Sequence, residues 1–135
     1  MSERIILDTN IWVSYFIGRN TDEIALTILN HNLTVFSCIE LEAEVVDVLS
    51  RAKFKKLIRL ETDRYLFFLR SLTQSVQINK RFKGCPDDKD DFLFDLGIQT
   101  NSAFLVTGDK RLLTFDLSPI AVMSLKAFKE TYPPK

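Results

Sequence analysis

The feature that most constrains the fold is the hydrophobic run Ala103-Phe104-Leu105-Val106-Thr107, which ends at Gly108-Asp109. A strand of this kind must be covered on both faces, as the inner strands of parallel sheets are. A short β-branched run, Arg4 to Asp8, also ends at an aspartate. Functional groups of open parallel sheets gather at the carboxyl ends of the strands. We therefore expect Asp8 and Asp109 to mark a functional edge of such a sheet.

Strand-like runs alternate with segments of helical periodicity along the chain. The predicted order is a strand at 4–8, a helix capped by Asn10, a helix from Asn20 or Thr21, a strand at 33–36, a helix opened by a Ser37–Glu40 capping box, a helix at 61–74, a strand at 76–78, a helix from Asp87 to about Thr100, a strand at 103–107 and a strand at 121–125. This alternation predicts an α/β protein, a three-layer α/β/α sandwich with a mainly parallel central sheet. The length of 135 residues fits a single domain spanning 1–135.

Composition narrows the class of protein. No apolar run approaches the roughly 18 residues that cross a bilayer, and the N-terminus lacks a signal-peptide pattern. We therefore expect a cytoplasmic protein without membrane contact. Two cysteines and one histidine are too few for a Cys/His zinc site, so zinc enzymology is not expected.

The balanced total of 18 basic and 18 acidic side chains hides a segregation of charge. Residues 51–83 carry ten basic and two acidic side chains, whereas residues 1–50 carry two basic and eight acidic ones. A basic surface beside an acidic pocket suits a polyanion whose phosphate is bound through a metal ion. The alternative is that these basic side chains only solvate two helices. The candidates for contact with the polyanion are Arg51, Lys53, Lys55, Lys56, Arg81 and Lys83.

The acidic residues predict a cation site. If Asp8 and Asp109 end neighbouring strands, their carboxylates repel each other, and a bound cation is the simplest way to neutralise them. Carboxylate oxygens without a Cys or His partner select hard ions, which favours Mg²⁺ or Mn²⁺ over Zn²⁺. On the third predicted helix, Glu44 lies at one edge of the apolar stripe and Glu42 at the other, and helix geometry alone does not separate these two residues.

Four short segments carry a resemblance to a known family. They are Ile6-Leu7-Asp8-Thr9-Asn10, Glu44-Val45-Val46-Asp47-Val48-Leu49, Lys89-Asp90-Asp91 and Val106-Thr107-Gly108-Asp109-Lys110. In this order and at these separations they resemble the PIN-domain nucleases, and more narrowly the VapC-type toxins of toxin–antitoxin pairs, from about residue 4 to residue 125.

This resemblance implies a metal-dependent endoribonuclease, the toxin of a type II toxin–antitoxin pair. Its substrate would be RNA, steered by the basic residues, and its partner a cognate antitoxin protein. The acidic pattern of the family falls on positions that would be both catalytic residues and ligands of Mg²⁺ or Mn²⁺, namely Asp8, Glu44, Asp90 and Asp109.

The pattern leaves three points open. Asp91 and Asp95 are the alternative candidates for the position assigned to Asp90. A shift of one residue in matching the family pattern would exchange Asp90 for Asp91. Where relatives often have a further aspartate, this chain has Arg111, so a second metal would bind weakly. The candidates for hydrogen bonds that hold the carboxylates are Asn10, Ser37 and Thr107.

The helix predicted after Asp87 has two apolar faces. Phe94 and Ile98 lie opposite Phe92 and Leu96, which predicts a second buried neighbour. Because similar proteins often pair, we expect a homodimer, with the C-terminal segment at 128–132 as the alternative cover.

Two other functions remain open at this point. A non-catalytic RNA- or protein-binding module would keep the fold without efficient chemistry, and Arg111 is the residue that suggests it. A DNA structure-specific nuclease would use the same acids on a different substrate.

Overall fold

The computed structural model describes residues 2–134. The helices and strands are β1 (Glu3–Leu7), α1 (Thr9–Ile17), α2 (Thr21–Asn30), β2 (Leu33–Ser37), α3 (Ile39–Leu49), α4 (Ala52–Lys55), α5 (Thr62–Leu72), β3 (Thr73–Ser75), a 3₁₀ turn (Asp88–Asp90), α6 (Asp91–Gln99), β4 (Phe104–Val106), α7 (Lys110–Leu113), β5 (Ala121–Met123) and α8 (Leu125–Thr131). Within these residues, no helix is long and apolar enough to cross a membrane.

The five strands form one sheet in the order β3-β2-β1-β4-β5, and every neighbouring pair is parallel. Right-handed crossovers between parallel strands place α1 to α5 on one face and α6 and α7 on the other. This confirms the predicted three-layer α/β/α architecture. The strand order reverses direction between β1 and β4, so a crevice opens at the carboxyl ends of these two strands.

The core explains why the inner strands are so apolar. Ile5, Ile6 and Leu7 of β1 are completely buried between the helical layers. Trp12 and Phe16 of α1 are also buried and pack with ring centroids 6.2 Å apart. This packing anchors α1 immediately after the residue that ends β1.

Gly97 allows α6 to lie close to the sheet. A Cβ atom at this position would come within 2.5 Å of Ile120 Cδ1 and 3.4 Å of Ile6 Cδ1. The first distance is shorter than real carbon contacts allow, so a larger residue would force Ile120 to move. The absence of a side chain at position 97 therefore leaves room for the Ile120 side chain against α6.

Two predicted boundaries were wrong. Helix α3 begins after Cys38, and Ser37 belongs to β2, so the proposed Ser37–Glu40 capping box does not form. The third parallel pairing lies at Thr73–Ser75, directly after α5, and not at 76–78. In both places, residues that helical periodicity assigns to a helix belong to a strand of the sheet. For β3, the register with β2 determines which residues pair.

The chain itself covers part of the second apolar face of α6. Phe94 is completely buried, with its ring 5.2 Å from that of Phe82 and 5.7 Å from that of Phe115. Ile98, the other apolar residue of this face, is half exposed. Phe94 therefore needs neither a second copy nor the segment at 128–132 as its cover, whereas Ile98 stays in contact with solvent in the single chain.

Candidate metal-binding site

Asp8 lies at the point where β1 ends and α1 begins. Its Oδ1 accepts a hydrogen bond of 2.7 Å from the Thr9 backbone N–H, which caps α1, and its backbone N–H donates to the Val106 carbonyl at 2.9 Å. Only 4% of the residue is exposed. Asp8, and not Asn10, is therefore the cap of α1. Asn10 is exposed and does not hold a carboxylate within the described residues, contrary to the prediction.

Thr107 connects the ends of β1 and β4. Its hydroxyl donates to Asp8 Oδ2 at 2.7 Å and accepts a hydrogen bond of 3.0 Å from the Asp109 backbone N–H. Thr107 is completely buried, so the hydroxyl has a fixed orientation. Ser37 does not share this role: its buried Oγ has no hydrogen-bond partner in residues 2–134, and the prediction that it holds a carboxylate was wrong.

Asp109 caps the short helix α7 and is already paired with a cation. Its Oδ1 accepts from the Arg111 backbone N–H at 2.9 Å, and its Oδ2 lies 3.3 Å from Arg111 Nη2. The same Nη2 lies 3.8 Å from Asp87 Oδ2. In the sequence, Arg111 stands out as the replacement of an acid, and nothing in its spacing predicts contact with Asp87.

The structure separates the two glutamates that helix geometry left open. Glu42 is 8% exposed and accepts hydrogen bonds from Arg70 Nε and Nη2 at 3.1 and 2.9 Å. Glu44 is half-buried on α3 and lies close enough to Asp8 and Asp90 to raise their pKa values. Glu42 is thus engaged on another side of the helix, whereas Glu44 faces the acids at the end of β1.

The reserve acids on α6 hold the preceding segment of chain. Asp91 Oδ1 accepts from the Cys85 backbone N–H at 3.0 Å. Asp95 Oδ1 accepts from the backbone N–H groups of Arg81 and Phe82 at 2.9 and 2.8 Å. Both acids therefore hold the backbone of residues 81–85 through hydrogen bonds. Asp90 is then the one of the three acids whose charge lies next to those of Asp8, Glu44 and Asp109.

The charges of Glu44, on α3, and of Asp109, after β4, act on Asp8 at the end of β1. Burial raises the pKa of Asp8 from 3.8 to about 6, and the charges of Glu44 and Asp109 raise it further, while hydrogen bonds from Thr107 and Thr9 oppose the shift. A buried carboxylate surrounded by like charges is costly to ionise. It therefore favours either a proton or a cation.

Asp90 shows the same behaviour. Partial burial raises its pKa from 3.8 to about 7, with further contributions from Asp8, Asp87, Glu44 and Asp109. Asp8, Glu44 and Asp109 therefore lie near enough to Asp90 for their charges to oppose its ionisation.

These acids fit a hard divalent cation by their chemistry. Their oxygens are carboxylate oxygens, which Mg²⁺ and Mn²⁺ prefer. Within residues 2–134, no group of three or more His, Cys, Asp or Glu side chains is arranged so that it could hold a metal ion. The carboxylates repel one another across the crevice without forming a closed ligand cage, so an ion would have to draw them together.

The basic candidates form two groups. Lys83 and Arg81 belong to the segment held by Asp91 and Asp95, and Lys83 lines a cavity of about 150 Å³ together with both of these acids. The remaining candidates surround α4 beyond the C-terminal end of α3, and all of them are exposed: Arg51, Lys53, Lys55 and Lys56. Arg51 is the member of this group that pairs with an acid, Asp47, at 3.1 Å.

Comparison with known proteins assigns the chain to a family. The family model described as "PIN domain" matches residues 4–111, which is most of the chain, and the chain belongs to the PIN-domain family. No curated protein matches it significantly by sequence. The sequence-based assignment to this family is confirmed, and the match includes Asp8, Glu44, Asp90 and Asp109.

A solved structure shares the fold. It is described as "Crystal structure of VapBC2 from Rickettsia felis bound to a DNA fragment from their promoter". The similarity has a TM-score of 0.59 at 18% identity and covers 90% of this chain and 98% of the other. At this identity the comparison establishes the fold.

Proposed function

We propose that this chain is a metal-dependent endoribonuclease in which Asp8, Glu44, Asp90 and Asp109 hold Mg²⁺ or Mn²⁺. The observation that carries the proposal is the environment of Asp8, a buried carboxylate at the switch point of the sheet whose pKa is raised to about 6. Membership of the PIN-domain family supports it. Strongly perturbed carboxylates in a crevice are typical of functional sites.

The chain's own residues would prepare the site for this chemistry. The Thr107 hydroxyl fixes the orientation of Asp8 and, through the Asp109 N–H, the start of α7. Glu44 supplies negative charge from α3, and Asp90 supplies it from the 3₁₀ turn that precedes α6. A divalent ion bound there would polarise the phosphodiester and stabilise the departing oxygen.

RNA is the proposed substrate. The basic candidates Arg81 and Lys83 lie on a segment attached to α6, the helix that follows Asp90, and this attachment supports a contact between them and a phosphate backbone in the crevice. A crevice at the end of a sheet favours a bendable, single-stranded or looped substrate. Arg51, Lys53, Lys55 and Lys56 would extend this contact along α4.

We further propose that the chain acts as the toxin of a toxin–antitoxin pair in the cytoplasm. The shared fold with the VapBC2 structure and the resemblance of the four motifs to VapC-type toxins support an antitoxin protein as its partner. The homodimer remains a prediction that rests on this resemblance and on the half-exposed Ile98 of α6, since Phe94 is covered within the chain.

The central experiment compares Asp8→Asn with the wild-type chain on labelled single-stranded RNA, single-stranded DNA and a DNA flap. We expect cleavage of RNA by the wild type in Mg²⁺ or Mn²⁺ and none by Asp8→Asn. Asp116→Asn is the matched control, because Asp116 is an exposed acid outside the site. Full activity of Asp8→Asn, or full activity in EDTA, would exclude the mechanism. Cleavage of the flap alone would favour the DNA nuclease.

A non-catalytic module is the second candidate, and the contact between Arg111 and Asp109 is the observation that favours it. Isothermal titration with Mn²⁺ separates the two. A nuclease requires saturable Mn²⁺ binding that Asp8→Asn weakens, whereas a binding module with an intrinsic cation would bind RNA without Mn²⁺.

A further inference from the structure

Lys80 has a backbone conformation that lysine disfavours, and helix α6 holds it there from both sides. Its φ of 56° lies in the left-handed region, which is unfavourable for a residue with a Cβ atom. Before it, the Asn79 backbone N–H donates to Gln99 Oε1 at 2.6 Å. After it, the next two backbone N–H groups donate to Asp95 Oδ1 at 2.9 and 2.8 Å. These bonds fix the direction in which the Lys80 side chain leaves the backbone.

The Lys80 side chain lies beside a glutamate whose oxygens accept no hydrogen bond from residues 2–134. Lys80 Nζ is 3.8 Å from Glu40 Oε2, which is too far for a hydrogen bond. Glu40 Oε1 is buried and has no hydrogen-bond partner in the same part of the chain. An unsatisfied buried acceptor is costly, so folding stability does not explain this glutamate. The pair thus offers acceptors on Glu40 and donors on Lys80.

Glu40 and Lys80 stand between two cavities. The first, of about 150 Å³, has the half-buried rings of Phe82 and Phe92 in its walls and reaches the start of α6, where Asp90 lies. The second, of about 410 Å³, extends to the edge strand β3. A groove therefore runs from the acidic site past the Glu40–Lys80 pair to the edge of the sheet.

We propose that this groove binds the RNA strand beside the scissile phosphate and that Glu40 and Lys80 select guanine there. The inference rests on the proposed function, because it concerns the same RNA substrate. A carboxylate only accepts hydrogen bonds, and guanine is the base whose Watson–Crick edge carries two adjacent N–H donors, at N1 and N2. The last torsion of a glutamate is broad, so the Glu40 carboxylate can turn both oxygens toward these donors. The neighbouring guanine O6 is an acceptor for the Lys80 ammonium.

The other bases match this pair less well. Adenine and cytosine each present one amino group beside a bare ring nitrogen, and uracil presents one N–H between two carbonyl oxygens. A carboxylate repels each of these acceptors. The rings of Phe82 and Phe92 provide stacking surfaces, which tolerate every base, so the selection depends on Glu40 and Lys80.

Binding of RNA to the full chain carrying Asp8→Asn tests the selection without cleavage. Fluorescence anisotropy compares labelled uridine oligomers that contain one central guanosine or one inosine, which lacks the N2 amino group. We expect the guanosine oligomer to bind about 5- to 100-fold more tightly. Adding Glu40→Gln should make the two affinities equal, because the amide replaces one acceptor with a donor. Glu130→Gln, at an exposed acid of α8, is the matched control and should keep the preference.

Lys80→Gly is the second variant. Glycine adopts a positive φ readily, so the turn is kept while the ammonium is lost. We expect a folded protein, as judged by circular dichroism, with a reduced preference for guanosine. If Glu40→Gln does not fold, Lys80→Gly carries the test, and an unchanged preference would contradict the proposal.

Cleavage of random-sequence RNA by the wild-type chain in Mn²⁺ separates this inference from the proposed function. We expect the sequenced ends to show guanosine next to the cleaved bond. Cleavage without this preference would overturn the selection and leave the nuclease proposal intact. A guanosine preference in binding without cleavage of any RNA would support the groove and contradict the nuclease. No binding of RNA would overturn both, and tighter binding of 5′-GMP than of the RNA would assign the groove to a free nucleotide and overturn the assignment to RNA.

Discussion

The Thr107 hydroxyl donates a 2.7 Å hydrogen bond to Asp8 Oδ2, and this bond joins the carboxyl ends of two neighbouring strands. Asp8 thus accepts from a backbone N–H with one oxygen and from a side chain with the other. A buried carboxylate with both oxygens hydrogen-bonded keeps one orientation. The catalytic candidate is therefore fixed before any ligand binds.

Replacing Thr107 with valine should weaken metal binding. The variant keeps the volume of the side chain but loses the hydrogen bond that lowers the pKa of Asp8, so protonation of this carboxyl becomes easier. We expect Mn²⁺ affinity, measured by isothermal titration at pH 7, to fall about 10- to 100-fold. Thr107→Ser retains the hydroxyl and should bind nearly as the wild type does. Equal affinity of Thr107→Val and wild type would remove the role of the bond.

Metal affinity should depend on pH because protons compete with the ion. The carboxyl groups of Asp8 and Asp90 have pKa values raised to about 6 and about 7, so they are increasingly protonated as the pH falls through this range. We expect the Mn²⁺ dissociation constant to rise steeply between pH 8 and pH 5, as judged by titrations in non-chelating buffers. A flat profile would contradict the clustering of these acids.

The metal-free protein should show the opposite trend in stability. A carboxyl whose folded pKa lies above its ordinary value of 3.8 binds protons more tightly in the folded state. Its stabilising contribution is complete below the ordinary value and is lost as the pH rises through about 6 for Asp8. Chemical denaturation in EDTA should therefore show a smaller pH dependence for Asp8→Asn, since asparagine also caps helices well. An unchanged dependence would argue against the raised pKa.

The two glutamates of α3 should differ in function. Glu44→Gln removes a charge that acts on Asp8 and Asp90, and we expect about a tenfold or greater loss of Mn²⁺ affinity. Glu42→Gln, two residues earlier, changes a side chain that pairs with Arg70 and should leave Mn²⁺ affinity unchanged. A loss of affinity in Glu42→Gln alone would reverse the assignment.

Asp95→Ala should destabilise the protein without changing the number of bound ions. The substitution leaves the backbone N–H groups of Arg81 and Phe82 without their acceptor, and each unsatisfied group costs about 1 to 3 kcal/mol. Urea denaturation measures the loss, with the exposed Asp116→Ala as control. The Mn²⁺ stoichiometry should stay that of the wild type, and a lower stoichiometry would make Asp95 a ligand.

The sequence predicted the inner strands and one edge strand of the sheet, and it misplaced the other edge strand. The apolar run before Asp109 could only be an inner strand, and it occupies the predicted place in β4. The edge strand β5 also lies within its predicted range of 121–125. The edge strand β3 lies outside its predicted range, because its pairing is set by register with β2 and not by its own composition.

The candidate site was also predictable only in part. Asp8 and Asp109 were predictable because strand ends in a parallel sheet meet at one edge. The choice between Glu42 and Glu44 depended on Arg70, which lies 28 residues from Glu42 in the chain. The separation of Asp90 from Asp91 and Asp95 depended on the backbone path at 81–85, which no local pattern of residues indicates.

The bare backbone at Gly97 ties the residue at position 97 to the residue at position 120. A methyl group at Gly97 would come within 2.5 Å of Ile120 Cδ1, so the end of the Ile120 side chain would have to move, whereas the contact with Ile6 Cδ1 at 3.4 Å would be an ordinary one. A larger residue at position 97 therefore requires a smaller one at position 120. Among homologous chains, we expect the volumes of these two side chains to change in opposite directions.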